Sequence, residues 1–340
     1  MHKRLINLIM VMVVILVVSG CGSNQNNTSG SKEAAADNTT AANAGSESTS
    51  GPIILKDDKG EVKLDKPAQR VVVLEWTFTE DIIALGVQPV GNADNENYKL
   101  YVTSEAPLDA SVTDVGSRDE PDLETIASLK PDLIIANTGG HEGIYDQLKG
   151  IAPTLIFGLY PEEGQGDQYT IMEDTFKTIA AAVGKTAEGD KVLADLDAHY
   201  AAAKTKLTEA GKEGLNYVLT QAYSYQNAAT LRLFTDNSLA VQTLDRIGLK
   251  NDWKPEKFEA YGFTTSTVEA LPAVQGTNLM YIVQKDDNIF TKELKDNSVW
   301  NGLNFVKENR TFGLSSTTWV FGGPISSKVI VDEVINTLTK

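Results

Sequence analysis

One short pattern occurs twice in this chain and constrains its fold more than any other feature of the sequence. The first copy, VTDVGSRDEPDLETIASLKPDLIIAN (112–137), reads as a glycine turn, a short amphipathic helix that ends at a Lys-Pro pair, and an apolar strand. The second copy, TVEALPAVQGTNLMYIV (267–283), repeats the helix and the strand. Each helix starts with one glutamate, Glu124 in the first copy and Glu269 in the second. The repeat predicts two lobes of similar construction, each presenting one glutamate.

The remaining sequence alternates short apolar strands with helices, which is typical of open α/β lobes. The buried strand Arg70–Glu75 leads into a helix for which Thr77 or Thr79 is the predicted N-cap. Helix-forming sequence with one weak point at Gly184 then predicts a single long crossing between the lobes, and a first-turn proline predicts a last helix at Pro324–Leu338. The predicted parts are an N-terminal α/β lobe at 52–165, a bridging helical segment at 166–211 and a C-terminal α/β lobe at 212–340.

The N-terminus predicts a lipid anchor rather than part of the fold. Residues 1–20 form a predicted signal peptide, with a basic start and an apolar run too short to span a membrane comfortably. Small residues precede Cys21, the only cysteine, and resemble the processing site of bacterial lipoproteins, in which this cysteine is acylated. The alternative is an ordinary secretory signal with an incidental cysteine. Residues 21–51 are small and polar and predict a flexible tether, so the body is expected at the extracytoplasmic face of a cell membrane.

The net charge of the chain limits its partners. The formal charge is −16 at pH 7, and no basic stripe is present that would neutralise nucleic-acid phosphates. Nucleic acid is therefore excluded as an expected partner. An anionic ligand would need local cations against an unfavourable overall field, which makes each arginine near a ligand pocket more important than usual.

The chain resembles a known family over residues 65–340. The similar runs are VVVLEWTFTEDIIALGVQPVG, VGSRDEPDLETIASLKPDLII, ANTGGHEGIYDQLKGIAPTL, LRLFTDNSLAVQTLDRIGL, AYGFTTSTVEAL and SSTTWVFGG. In their order and spacing they resemble the iron(III)–siderophore binding lipoproteins of ABC importers, above all the ferric-dicitrate and ferric-hydroxamate binding proteins. The resemblance implies two α/β lobes joined by a long bridging helix, with the ligand in the cleft between the lobes. It also implies a monomeric receptor that delivers its ligand to an ABC permease dimer with its ATPase.

The resemblance assigns a docking role to the repeated glutamates. Glu124 and Glu269 match the glutamates that dock, one from each lobe, onto arginines of the permease dimer. Charge-assisted contacts of this kind set orientation and association rate. The alternative is helix capping, because an acidic residue is favoured in a first helical turn and Ser266 with Glu269 has the spacing of a capping box.

Three polar residues are candidates for ligand contact. Arg118 matches the pocket arginine of the ferric-hydroxamate binders, where a planar guanidinium meets the oxygen atoms around iron; an ion pair with Asp119 or Glu120 is the alternative. Arg232 lies on a predicted strand of the C-terminal lobe, where a second cation is useful, but the sequence leaves open which way its side chain faces. His141 lies in a Gly-Gly-His-Glu loop close to where relatives place a ligand-facing side chain, although a lone loop histidine is usually only solvated.

Aromatic residues near the predicted strand ends complete the candidate site. Tyr261 matches a pocket tryptophan of the family. Rings in such positions stack on the organic shell of a chelate and shed water, although each ring taken alone is more often core. The other candidates are Trp319, Phe321, Trp76 and Tyr98.

The expected ligand is a weakly charged iron(III)–siderophore, namely a hydroxamate or a mixed citrate–hydroxamate, because few pocket cations are available for a triscatecholate. Ferric citrate follows closely, because the VLEWTFTEDIIALGV and HEGIY stretches resemble the ferric-dicitrate binders most. Iron arrives as a chelate, so no cofactor and no protein metal ligand is expected.

A receptor for free metal ions is an alternative that needs clustered histidines, and only His141 and His199 follow the predicted signal peptide. Haem and cobalamin receptors share the fold. A tethered hydrolase is the alternative of another class, but the sequence has no G-x-S-x-G motif and no cysteine after Cys21.

Overall fold

The computed structural model describes residues 51–102 and 104–340 of the chain. The predicted signal peptide, the acylation site Cys21 and all of the predicted tether except Gly51 lie outside the described residues. None of the described helices combines the length and the apolar character needed to cross a membrane.

The N-terminal lobe is built around a five-stranded parallel sheet. Its elements are β1 (Ile53–Asp57), β2 (Gly60–Leu64), β3 (Val71–Val73), α1 (Trp76–Ala84), β4 (Gly91–Asn92), α2 (Asn95–Tyr101), β5 (Thr113–Asp114), α3 (Leu123–Ser128), β6 (Leu133–Asn137), α4 (Thr138–His141), α5 (Tyr145–Ile151) and β7 (Thr154–Phe157), with a 3₁₀ turn at Glu142–Ile144. The strand order is β5-β4-β3-β6-β7, and β1 and β2 form a separate antiparallel hairpin. The inner strands are buried on both faces, as continuous apolar runs predict for a covered parallel sheet.

Two helices rather than one connect the lobes. They are α6 (Gln168–Ala182) and α7 (Thr186–Glu209), and the predicted single crossing is corrected here. The chain turns at Gly184, whose φ of +69° lies in the left-handed region that glycine enters without strain and that commonly ends a helix. Tyr169 of α6 packs in the core of the C-terminal lobe, and Phe176 of the same helix packs in the core of the N-terminal lobe. The bridging segment is therefore shared by both cores.

The C-terminal lobe contains a mixed sheet. Its elements are β8 (Asn216–Tyr225), β9 (Ala228–Phe234), α8 (Leu239–Arg246), β10 (Lys250–Asn251), β11 (Phe263–Ser266), β12 (Asn278–Val283), α9 (Ser298–Gly302), α10 (Asn304–Lys307), β13 (Thr311–Gly313) and α11 (Pro324–Leu338), with 3₁₀ segments at Val268–Val274 and Lys285–Asp287. The strand order is β11-β9-β8-β12-β13, and β10 pairs with β8. β9 is antiparallel to its two neighbours, whereas β12 is parallel to β8 and β13. The predicted fold class of two α/β lobes is confirmed, and the segment that joins them contains a long helix, α7, beside the shorter α6.

The duplicated sequence pattern forms the same structural unit in both lobes. In the first lobe α3 leads into β6, and in the second the 3₁₀ segment leads into β12; each strand is an inner strand of its sheet. The second segment is 3₁₀ and contains Pro272, which has no N–H to continue an α-helical ladder. The repeat seen in the sequence is thus a repeat of topology.

Candidate functional site

A cavity of about 590 Å³ lies between the two lobes. From the N-terminal lobe it is lined by Glu75, Asn137 and Gly158, which lie at or just after the carboxyl ends of β3, β6 and β7. From the C-terminal lobe it is lined by Arg232 on β9 and Phe263 on β11. The carboxyl ends of neighbouring parallel strands meet at one edge of a sheet, and open α/β sheets bind ligands there. The topology of the N-terminal sheet therefore places one wall of the cavity.

Arg118 lines the cavity, where its contact with a ligand remains a prediction. One terminal nitrogen of Arg118 lies 3.0 Å from Oε1 of Glu75. The guanidinium carbon lies 3.8 Å from the centre of the Trp76 ring, so the group is held against an aromatic face. The alternative interpretation placed its ion-pair partner at Asp119 or Glu120, whereas the partner is Glu75. About one third of the Arg118 side chain (34%) remains exposed to solvent.

Glu75 is a charged residue of this site that the sequence analysis missed. Its side chain accepts a hydrogen bond from the backbone N–H of Trp76 at 2.9 Å and therefore caps α1. The predicted caps Thr77 and Thr79 are wrong: the Thr77 hydroxyl donates to the Phe321 carbonyl, and the Thr79 hydroxyl donates to the Glu75 carbonyl. A carboxylate that directly follows an apolar strand and precedes a helix was the available signal, because that position lies at the ligand edge of the sheet.

His141 lies behind the cavity wall, so the prediction of direct ligand contact is corrected. The ring is fully buried, and its Nδ1 accepts a hydrogen bond from the Asn137 backbone N–H at 3.1 Å. The ring therefore carries its proton on Nε2, which donates to the Arg118 carbonyl oxygen at 2.7 Å. Burial lowers the pKa of His141 below its ordinary value of 6.5. The neutral ring ties the loop that carries Arg118 to the end of β6.

We expect His141→Ala to lower the free energy of unfolding by about 1–3 kcal/mol at pH 7.5, because two backbone groups lose their hydrogen-bond partner in the buried ring. The loss should shrink as the pH falls. The unfolded chain takes up the proton near pH 6.5, above the lowered pKa of the folded state, so the wild type loses this stabilisation on acidification and the alanine variant has none to lose. Urea unfolding at pH 7.5, 6.5 and 5.5 measures the difference. A difference that is constant across these pH values would contradict the assigned protonation state.

Arg232 supplies the cation of the opposite wall. It lines the cavity from β9, with its guanidinium carbon 4.9 Å from the centre of the Phe263 ring and one nitrogen 3.4 Å from the Gln221 side-chain oxygen. Its buried Nε has no hydrogen-bond partner in the part of the chain that the structure describes. The orientation that the sequence left open is therefore toward the cavity.

Three of the five predicted aromatic residues line the cavity, namely Tyr261, Trp319 and Phe321. Tyr261 is 61% exposed and forms an edge contact with Tyr160 of the other lobe, with ring centres 5.0 Å apart. Trp319 and Phe321 contact each other with ring centres 5.2 Å apart. Their contact with a ligand stays a prediction.

The other two predicted aromatic residues are core residues. Trp76 is only 2% exposed, donates its indole N–H to the Ala93 carbonyl and lies beneath Arg118. Tyr98 is 1% exposed and donates its hydroxyl to the Ala106 carbonyl at 2.8 Å. Trp76 therefore supports the arginine, and neither ring lines the cavity.

The charged side chains that line the cavity balance formally. They are two arginines and two carboxylates: Arg118, Arg232, Glu75 and Asp119. Among the described residues, no group of three or more His, Cys, Asp or Glu side chains is arranged to hold a metal ion. The wall thus offers guanidinium donors and aromatic faces to its ligand.

Both repeated glutamates lie on the surface of the protein. Glu124 is in the first turn of α3, where the Asp122 side chain accepts from the N–H groups of Glu124 and Thr125. Glu269 is in the first turn of its 3₁₀ segment, and the cap is Thr267 rather than the Ser266 of the alternative interpretation. Within residues 51–102 and 104–340, neither carboxylate has a hydrogen-bond or ion-pair partner. Capping is therefore done by their neighbours.

Two lobes with a shared helical segment and a cavity lined from both sides define a ligand-binding protein of the two-lobed class. The model of the periplasmic binding protein family matches residues 71–318, and the chain belongs to this family. It is similar to the Fe(3+)-citrate-binding protein YfmC of Bacillus subtilis, with 31% identity over 98% of this chain and 96% of that protein. It is 27% identical to the iron(3+)-hydroxamate-binding protein FhuD of Escherichia coli over 79% of this chain and 86% of that protein. The crystal structure of the siderophore-binding protein FhuD from Vibrio cholerae with bound Fe3+–Desferal has a TM-score of 0.72 at 28% identity and covers 80% of this chain and 98% of that one.

Proposed function

We propose that this protein is the substrate-binding lipoprotein of an ABC importer and that it captures an iron(III)–siderophore chelate in the cavity between its lobes. The single observation that carries the proposal is the cavity wall, where one arginine from each lobe stands among aromatic rings. The printed names of the similar proteins, which bind ferric citrate and ferric hydroxamates, support it.

The aromatic part of the wall suits the organic shell of a chelate. Tyr261 stacks on Phe263 with an angle of 27° between the rings and ring centres 6.2 Å apart, and it still leaves 61% of its own surface exposed. An apolar ligand surface laid on these rings removes water from both partners. A cavity of about 590 Å³ is within the size range of small-molecule sites.

The arginines suit the oxygen atoms around the iron. A guanidinium has five N–H donors in a plane, and Arg118 uses one terminal nitrogen on Glu75, which leaves further donors for a ligand. In a siderophore complex the chelating oxygens carry the negative charge that the iron leaves uncompensated. The protein then recognises the chelate through its outer oxygens and supplies no ligand to the metal.

The balanced charge of the wall favours a chelate of low net charge. A ferric trihydroxamate is neutral at iron, because three hydroxamate anions balance Fe3+, whereas a triscatecholate complex is a trianion. With two arginines set against two carboxylates, the wall has no excess of cations for a trianion. A hydroxamate or mixed citrate–hydroxamate is the first candidate, and ferric citrate is the second because of the similarity to YfmC.

Delivery completes the proposed function. A lipid on Cys21 would hold the monomeric body at the extracytoplasmic face of the membrane, and the polar tether would let it reach the permease dimer and its ATPase. Glu124 and Glu269 would dock the loaded protein. The ligand leaves chemically unchanged, so the protein acts as a receptor and not as an enzyme.

We expect tryptophan fluorescence to be quenched at the lowest concentrations by ferric hydroxamates or ferric citrate, with at least about tenfold weaker binding of a ferric triscatecholate. Trp319 lines the cavity and Trp76 lies beneath Arg118, so both report on an iron chelate bound there. Trp319→Phe should reduce the quenching without abolishing binding measured by calorimetry. The metal-free chelators, zinc, haem and cobalamin complete the panel, and mass spectrometry of the released ligand tests for turnover. Preference for a catecholate would overturn the ligand class, and preference for haem, cobalamin or zinc would overturn the function.

A further inference from the structure

Glu75 is the more buried of the two carboxylates that balance the arginines of the cavity. It is 8% exposed, and its two carboxylate oxygens contact the Trp76 backbone N–H at 2.9 Å, the Arg118 guanidinium at 3.0 Å and the Asn137 side-chain amide at 2.9 Å. For the attraction of an anionic chelate alone, a carboxylate buried beside the arginine is a disadvantage, because it cancels part of the arginine charge. The three contacts fix the carboxylate in place, so its charge acts on every ligand that enters.

We propose that Glu75 is a specificity-determining residue that cancels the charge of Arg118 and makes the cavity discriminate against anionic chelates. The proposal rests on the proposed function, since it concerns the choice among iron(III) chelates at the same site.

The physical basis is the burial of the ion pair between Glu75 and Arg118. Charges near a low-dielectric wall interact several times more strongly than charges in water. Glu75 is almost fully buried and Arg118 is about two-thirds buried, so each is felt strongly by a ligand between the lobes. The second carboxylate of the lining, Asp119, is exposed, and water and salt screen it. Of the two carboxylates, Glu75 therefore sets the charge of this wall.

The same contacts also give Glu75 a positioning role, because they hold Arg118 over the Trp76 ring. Loss of positioning alone would weaken the binding of all chelates by a similar factor. Loss of charge cancellation instead moves the affinities of anionic and cationic chelates in opposite directions. The ratio of these two affinities is thus a readout that a merely structural role does not move.

The test compares three iron(III) chelates by calorimetry: ferric citrate as the anion, ferrichrome as the neutral trihydroxamate and ferrioxamine B as the cation. In Glu75→Gln we expect the ratio of ferric citrate affinity to ferrioxamine B affinity to rise at least about tenfold at low salt and to fall back in high salt. Glu120→Gln removes the same formal charge from an exposed position outside the cavity lining and should change the ratio by no more than about twofold. The melting temperature of each variant checks that it is folded.

The double variant Glu75→Gln/Arg118→Gln restores the charge balance and should return the ratio to within about threefold of the wild type, whatever its absolute affinities. An unchanged ratio in Glu75→Gln, a uniform loss for all three chelates, or a ratio that the double variant does not restore would each overturn the proposal while leaving the receptor function intact. Wild-type protein that binds none of the three chelates would overturn the proposed function and this inference together.

Discussion

Chelate uptake will be lost in the double variant Glu124→Ala/Glu269→Ala, although the purified variant binds its ligand as the wild type does. Both carboxylates are exposed, one in each lobe, and both are without a partner among the described residues. Asp122 and Thr267 keep the caps of the two segments, so removing the glutamates leaves the local fold intact. Each charge-assisted contact with a permease arginine contributes about 1–3 kcal/mol, so losing two weakens docking by about thirtyfold or more.

Uptake of a radioactive iron chelate by cells that produce only the variant measures the effect, beside calorimetry on the purified protein. Glu163→Ala/Glu256→Ala is the matched control, because it removes the same charge from two other exposed glutamates. The control should transport normally. A docking role is excluded if the Glu124/Glu269 variant transports like the control, or if it fails because it has lost its ligand affinity.

The sequence was a good guide wherever structure depends on near neighbours. Continuous apolar runs predicted the inner strands, because a strand covered on both faces needs no polar alternation. Pro324 marked the start of α11 correctly, because proline suits the first helical turn. The repeated helix–strand pattern predicted both inner units of the two sheets. Gly184 was noted as a weak point, and the structure ends α6 there.

Contacts between distant segments set the limits of the sequence analysis. The sequence pattern placed Trp76, Tyr98 and His141 near strand ends or in loops. It did not show whether each side chain faces the cavity or the core. The orientation of each side chain depends on the backbone group with which its polar atom forms a hydrogen bond. These partners are distant in sequence, such as the Arg118 carbonyl that accepts from His141. The alternative interpretation paired Arg118 with acids adjacent in sequence, whereas its partner Glu75 is 43 positions away. Local charge spacing does not contain that information.

The sequence also did not predict a buried carboxylate that joins the two lobes. Glu80 of α1 is fully buried, and one of its oxygens accepts from the backbone N–H groups of Gly323 at 2.9 Å and Ser326 at 2.7 Å, at the start of α11. Its other oxygen accepts from the Ser326 hydroxyl. A Cβ on Gly322 would lie 2.4 Å from that oxygen, so this close approach requires glycine. Glu80 therefore caps a helix of the opposite lobe.

The titration of this carboxylate follows from its burial. Burial raises the pKa of Glu80 from its ordinary value of 4.5 to about 6. Burial, together with the charge of Glu80, raises the pKa of the adjacent Asp81 well above its usual range. The folded state binds the Glu80 proton more tightly than the unfolded state does. The stabilisation from protonated Glu80 is thus complete below about pH 4.5 and is lost as the pH rises through about 6.

Glu80→Ala is expected to lower the free energy of unfolding by about 3 kcal/mol, because three buried donors at the start of α11 lose their acceptor. Glu80→Gln is the matched variant, since its amide oxygen still accepts from Gly323 and Ser326 but carries no charge. Relative to the wild type, it should gain at least about 2 kcal/mol between pH 4.5 and pH 8, because the pKa shift of Glu80 represents about that free energy and the loss of its charge also makes ionised Asp81 less unfavourable. Urea unfolding followed by tryptophan fluorescence at several pH values measures both variants.

His141 titrates in wild type and variants alike, so its opposite pH dependence cancels in the comparison. If the stability of wild type and Glu80→Gln depends on pH in the same way, Glu80 is ionised at no cost in the folded protein. If Glu80→Ala is as stable as the wild type, the lobes do not depend on this contact.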